Sequence, residues 1–404
     1  MMNPFFIEPA CERIPRSDST ELAEVLLRGT LQSENRMKTN HKIIFSNSKK
    51  MDDVPSESVD LIVTSPPYPM IQMWDEMFCK QNPSIEAALK KAEGSAAFEL
   101  MHKILDPVWN EVFRVLKYGG LACINIGDAT RTINGNFALY PNHMRILQCL
   151  LGTGFTALPD ILWRKQTNAP NKFMGSGMLP AGAYVTLEHE YILIVRKGPN
   201  REFKKEEDKK NRRESAIFWE ERNLFYSDIW FDIKGTIQTL NNKETRLRSA
   251  AYPFEIAYRL INMYSAKGDM VLDPFLGTGT TTFAAMASMR NSIGYEIDAT
   301  LQDTICEMKN EIVPLSNKYI QNRLIRHIDF VIKRIKEKGA FKYKNKFYGF
   351  PVMTSQEKEI IINELINLDD IGADTFEVKY SEKPQKEFCK DWSIENFDGA
   401  RGLE

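Results

Sequence analysis

No stretch of this sequence approaches ~18 uncharged apolar residues, so a membrane-spanning helix is not expected. Residues 1–21 lack the apolar core of an export signal, being interrupted by Glu8, Glu12, Arg13 and Arg16. Cysteine is sparse: six in 404 residues, with no Cys-x-x-Cys pair, and the five histidines form no ligand-spaced cluster beside them. That argues against a metal site or a disulfide framework and for reduced thiols in a cytoplasm. An excess of one charge is also missing, since 53 Lys and Arg face 54 Asp and Glu for a formal net charge of -1. A uniformly basic nucleic-acid coat is thereby excluded, and any DNA-binding face must be local. There is no internal repeat. What remains is the composition of a folding chain, 43% hydrophobic and 26% charged. At roughly 150 residues per domain, the length holds two or three domains, or one enlarged by insertions.

Residues 1–40 read as a leading arm with one helix expected over 19–29. From residue 41 the pattern becomes dense. Short β runs at 43–45 and 59–64 precede Ser65-Pro66-Pro67-Tyr68-Pro69, whose prolines stop the second. Leu105, Val108, Val112, Val115 and Leu116 have helical spacing, with Gly119-Gly120 expected to close that helix before a buried strand at 121–126. Further strands are expected at 160–163 and 190–195. Residues 196–247 break this rhythm, opening on a run of mixed charge at 201–213, and read as an insertion. Then comes a β-α-β unit: strand 270–272, turn 273–279, helix 280–289 and strand 292–296, following helical spacing at 253–265. A long amphipathic helix ends near Gly339, and residues 340–404 carry no legible motif. Alternating helices and strands predict an α/β sheet.

Two segments carry chemistry. In Leu272-Asp273-Pro274-Phe275-Leu276-Gly277-Thr278-Gly279-Thr280 a strand ends in a Gly-x-Gly turn and enters a helix, so the backbone can approach a ligand closely. Glu296, closing the next strand, supplies a carboxylate for ribose hydroxyls. The full Gly-x-Gly-x-x-Gly of dinucleotide folds is absent, and no Gly-Lys-Ser/Thr follows to hold phosphates. A cofactor with ribose and no pyrophosphate is preferred, which points to S-adenosyl-L-methionine held by Asp273, Phe275, Gly277, Gly279 and Glu296. The second segment, Ser65-Pro66-Pro67-Tyr68, sits at the carboxyl end of a strand, where open α/β sheets place active sites. Paired prolines aim carbonyls and the Ser65 side chain at a planar amino group, and Tyr68 offers a ring for stacking on an extruded base.

With both segments, the sequence resembles the amino-group DNA methyltransferases of the β-type motif order over roughly residues 41–298. In that family the catalytic motif precedes the cofactor motif, with a target-recognition insertion between them. The resemblance implies a Rossmann-like α/β sheet with helices on both faces and circularly ordered motifs. It divides the chain into an arm (1–40), a catalytic half (41–195), a target-recognition insertion (196–247), a cofactor-binding half (248–310) and a C-terminal helical extension (311–404). Serine heading the catalytic motif is typical of cytosine-N4 enzymes in the family and aspartate of adenine-N6 enzymes. Cytosine-C5 enzymes need a cysteine after proline, and none of the six cysteines follows one. The expected activity is therefore methyl transfer to the N4 amino group of cytosine in double-stranded DNA. Adenine-N6 transfer, an RNA amino-methyltransferase and a catalytically dead DNA-binding protein are the alternatives.

By the same resemblance, Asn47 would meet the cofactor adenine where relatives carry Gly-Asp. Tyr252 and Pro253 match the family's cofactor-side loop, although Arg248-Ser249 replace its usual His-Pro. Lys165 and Asn168 match a loop beside the flipped base. Phosphate contacts are assigned to Lys209, Lys210, Arg212 and Arg213 in the charged run. A cognate restriction endonuclease and a prokaryotic cytoplasmic setting are the implied context.

Overall fold

The structure, a computed structural model, describes residues 37–165, 179–182, 184–234, 252–390 and 392. The helix expected over 19–29 and the site residue Asn168 lie outside them. The main sheet is built from strands β1 (Lys38–Phe45), β2 (Val59–Thr64), β3 (Leu116–Ile126), β4 (Thr156–Ala157), β5 (Ile161–Arg164) and β6 (His189–Arg196). It continues with β7 (Ile229–Trp230), β8 (Met270–Asp273), β9 (Asn291–Glu296), β10 (Leu365–Gly372) and β11 (Thr375–Tyr380). Their spatial order is β10-β11-β1-β9-β8-β2-β3-β6-β5-β7, with β4 beside β6. Strands β1, β9, β8, β2 and β3 run parallel, and β6 and β11 join that block antiparallel on either side.

All six residues of β2 are buried because helices cover both faces of the sheet. Side chains alternate across the pleat. Ile62, Ala122, Ile124, Leu193 and Val195 join the core under α1 (Gly94–Val115) and α2 (Asn142–Thr153). Leu61, Val63, Cys123, Ile192 and Ile194 join the opposite core under α4 (Phe254–Tyr264) and α5 (Thr280–Ala287). The small residues Ala284, Ala285 and Ala287 let α5 lie close to the sheet.

Three expectations about elements are corrected. Gly119-Gly120 do not close a helix, since α1 ends at Val115 and β3 begins at once. They instead form an irregularity in β3: Val59 faces Leu116 while Leu61 faces Leu121. A Cβ on Gly120 would stand 2.9 Å from the Asp60 carbonyl oxygen, so glycine is required there. Residues 38–40 belong to β1 rather than to an arm. The C-terminal extension is more than helical. After α6 (Gln302–Lys338) the chain returns as the hairpin β10-β11, and Thr375–Lys379 pair with Lys38–Lys42 to extend the sheet beyond β1.

The charged segment after β6 takes a course that composition did not reveal. Arg201 pairs with Asp269 ahead of β8 at 2.6 Å and approaches Asp60 near the start of β2 at 3.5 Å. Asn211, in α3 (Glu206–Glu214), donates to the Lys267 carbonyl at 2.8 Å. The segment therefore spans the amino-terminal ends of the parallel strands before Glu221 meets Arg323 of α6 at 2.7 Å.

Candidate functional site

Four neighbouring parallel strands, β1, β9, β8 and β2, end on the same side of the sheet, and their carboxyl ends carry Asn47, Glu296, Asp273 and Ser65. Beside them opens a cavity of about 480 Å³ whose walls include Asn47, Pro67, Tyr252, Phe275, Gly277 and Glu296. That is the size range of a small-molecule site. Glu296 accepts hydrogen bonds from the backbone N–H of Gly277 at 2.7 Å and of Asp298 at 2.8 Å. A carboxylate has about four lone-pair positions, so two remain for a ligand hydroxyl pair. Burial raises the Glu296 pKa, while the two backbone donors pull it down. Gly277 has φ 57°, and a Cβ there would meet no protein atom within 4 Å. The turn thus leaves a cradle in the wall that any side chain would fill. Carboxylate, cradle and apolar lining fit a nucleoside-like cofactor.

The remaining cofactor candidates divide by what they touch. The Phe275 ring lines the cavity and packs edge-on to Trp109 at 5.8 Å. Tyr252 lines it too, its hydroxyl bonded to that of Thr281. Asn47 lines the cavity as well, and its amide oxygen accepts from the Lys49 N–H at 2.9 Å. Asp273 is a correction. It is 1% exposed, and its carboxylate accepts from Thr64 at 2.5 Å, Thr281 at 2.6 Å and the Phe275 N–H at 3.0 Å. It is not among the residues that line the cavity. Burial pushes its carboxyl up to about 6 against the pull of those donors. Asp273 ties β2, the glycine turn and α5 together, and so positions the site without lining it. Gly279, at φ 89°, and Pro253 likewise shape helix starts, of α5 and α4, outside the cavity wall. Trp74 and Met77, which composition did not single out, also line the wall.

Pro67 lines this cavity and so brings the Ser65-Pro66-Pro67-Tyr68 segment to its edge. Ser65 Oγ lies 3.1 Å from the Tyr68 hydroxyl, which lies 2.9 Å from Glu190 and 2.8 Å from the Asn125 amide nitrogen. Asn125 donates to Glu190 as well, at 2.7 Å, and Lys165 closes the group with a 2.7 Å ion pair to the other Glu190 oxygen. A Cβ on Gly127 would come within 2.9 Å of the Tyr68 ring, so glycine makes room for it. The sequence reading missed Asn125 and Glu190. Asn125 had a signal, as the one amide in the apolar run Leu121-Ala122-Cys123-Ile124-Asn125-Ile126, next to the strand that delivers Ser65. Glu190 reaches the motif through antiparallel pairing of β6 with β3, which no local pattern encodes.

The model of a family described as DNA methylase, covering N6 and N4 enzymes, matches residues 59–307. The chain belongs to the N6/N4 DNA methylase family. A Type II methyltransferase of Methanothermobacter thermautotrophicus, M.MthZI, is 52% identical over 353 residues, 87% of this chain and 98% of that protein. Another, M.MjaI of Methanocaldococcus jannaschii, is 52% identical over 280 residues, 67% of this chain and 91% of its own. The crystal structure of TTHA0409 from Thermus thermophilus, complexed with S-adenosyl-L-methionine, superimposes with a TM-score of 0.52 at 30% identity, covering 68% of this chain and 95% of that one. Methyl transfer from S-adenosyl-L-methionine, expected from the glycine turn and Glu296, is the chemistry of this family. No helix of the described residues is long and apolar enough to cross a membrane.

The methylase does not bring its charged run to this site. Lys209 pairs with Glu206 at 2.7 Å, Lys210 with Glu214 at 3.7 Å and Arg213 with Glu359 at 2.7 Å, while Arg212 stacks on Phe203. All four stand at the sheet end opposite Ser65. Replacing Lys209 and Lys210 by glutamine will therefore leave DNA affinity, and its slope against salt, unchanged. Fluorescence anisotropy across a salt series checks this. A slope flattened by about 0.9 for each cation removed would restore them as phosphate contacts.

Proposed function

We propose that the methylase transfers a methyl group from S-adenosyl-L-methionine to the N4 amino group of cytosine in double-stranded DNA. The observation that carries this reading is Ser65 at the head of the Pro66-Pro67 turn, whose Pro67 lines the cofactor cavity. Phe275, Gly277, Glu296, Tyr252 and Asn47 would hold the cofactor, which supplies an electrophilic methyl group on a positively charged sulfur.

The cytosine amino nitrogen is a poor nucleophile because its lone pair is delocalised into the ring. Hydrogen bonds from its N–H groups to Ser65 Oγ and to a carbonyl of the proline turn favour a pyramidal nitrogen whose lone pair is available. A base inside a duplex cannot reach these groups, so it is extruded, and the Tyr68 ring offsets part of the few kcal/mol lost on unstacking. Lys165, ion-paired to Glu190 beside the motif, would meet the flipped nucleotide. The names of the two archaeal relatives support a place in a restriction-modification pair, with a companion endonuclease reading the same DNA site in a prokaryotic cytoplasm.

Mass spectrometry of nucleosides from DNA methylated by the purified protein tests the reading, and N4-methylcytosine is the expected product. N6-methyladenine as the sole product would overturn the base assignment while leaving the fold and cofactor in place. Sequencing the same DNA returns the recognition site, at which the companion endonuclease will no longer cut.

A further inference from the structure

The hydrogen bonds around Tyr68 have only one consistent direction. Glu190, 8% exposed and ion-paired to Lys165, can only accept, and the Asn125 amide nitrogen can only donate. The Tyr68 hydroxyl, 2.9 Å from one and 2.8 Å from the other, must therefore spend its hydrogen on Glu190 and receive one from Asn125. Its remaining lone pair faces Ser65 at 3.1 Å. Ser65 then donates its own hydrogen to Tyr68, and only lone pairs remain for a group outside the network. This is the polarity needed to receive an amino N–H, and a carboxylate two hydrogen bonds away imposes it.

We propose that Glu190 is a positioning residue for methyl transfer, orienting Ser65 as an acceptor through Tyr68 and taking up the proton that the amine releases. The inference rests on the reading of Ser65–Tyr68 as the transfer site. In the step, the amine lone pair forms the new N–C bond, and the electron pair of the broken S–C bond stays with sulfur. The amine N–H passes its proton to Ser65 Oγ, the Ser65 hydrogen moves to Tyr68, and the Tyr68 hydrogen moves to Glu190. Serine and tyrosine end as they began, and the neutral Glu190 carboxyl holds the proton. Tyr68 is suited to relay rather than to hold charge, because burial and the adjacent carboxylate raise its pKa well above the usual value. Lys165, at 50% side-chain exposure, connects Glu190 to solvent for the return of the proton.

Single-turnover methylation of unmethylated genomic DNA by the full-length protein, with cofactor affinity measured in parallel, tests the proposal. Glu190→Gln keeps the shape and a hydrogen-bond acceptor but removes the proton sink. The transfer rate is expected to fall about a hundredfold, with cofactor Kd unchanged within about twofold. Glu190→Ala is expected to be equally slow and to be rescued by formate, which restores a carboxylate, and not by formamide, which only fills space. A wild-type rate in Glu190→Gln would overturn the proposal. So would parallel loss of cofactor affinity, equal rescue by formamide, or no rescue by formate. Ser65→Ala in the same assay separates the two readings. A fully active Ser65→Ala sinks the transfer site itself, whereas an inactive Ser65→Ala beside a normal Glu190→Gln sinks only the role of Glu190.

Discussion

Gly277→Val is expected to raise the Kd for S-adenosyl-L-methionine about a thousandfold, roughly 4 kcal/mol, while the protein remains folded. The wall position is open, with no protein atom within 4 Å of where a Cβ would stand, so the substituted Cβ has room when the cavity is empty. Its cost is conformational at first. A β-branched residue at φ 57° is strained by about 1–3 kcal/mol, and relaxing that strain rotates the peptide whose N–H meets Glu296 at 2.7 Å. Valine methyl groups then occupy the cradle, and the displaced Glu296 no longer aims its free lone pairs. Isothermal calorimetry, with a melting curve to show that Tm drops only by a few degrees, checks the result. Wild-type affinity in this variant would mean that the cofactor binds elsewhere.

Ser65→Ala acts on the other side of Pro67 and separates rate from binding. Turnover is expected to fall about a thousandfold, the scale set by removing one preorganised hydrogen-bonding group from a reacting centre. Cofactor affinity should stay within about twofold, because Ser65 is outside the cavity wall while Pro67 and Phe275 are in it. Tyr68→Ala should be worse than a simple loss of rate, since it removes both the ring for the extruded base and the partner of Glu190. Measured kcat beside directly determined cofactor Kd distinguishes these outcomes. If Ser65→Ala lost both in equal measure, the motif would be part of the cofactor pocket and the transfer site would need to be sought elsewhere.

Where function depends on residues adjacent in sequence, the chain was legible. The strand before Ser65 is a run of apolar residues stopped by two prolines, and the strand before Gly277 is stopped by a glycine turn. Periodicity and punctuation together locate both ends of the candidate site. Asp273 shows the limit of that logic. An acid at a strand end reads as a ligand contact, yet two hydroxyls from other segments and a backbone N–H of its own turn occupy it. Lys209 and Lys210 show another, because composition reports the sign of a charge and not the end of the sheet at which it stands. The β10-β11 hairpin escaped for a local reason. Its turn places both Ala373 and Asp374 at positive φ, 50° and 52°, a conformation normally announced by Asn-Gly.

That hairpin bears on how the chain is made. Strand β1 finds its neighbours at 292–296 and 375–379, so it leaves the ribosome long before either exists. Until then it is an unpaired strand with an alternating buried pattern, and the segment carrying Asn47 has no partner to hold it against the cavity. Closing so distant a pairing makes the last stage of folding slow compared with the local β-α-β unit around Gly277. The nascent enzyme can therefore build its glycine turn early yet seats β1, and with it the Asn47 wall of the cavity, only after residues 375–379 have been made, and a chain ended before them lacks the strand that seats β1.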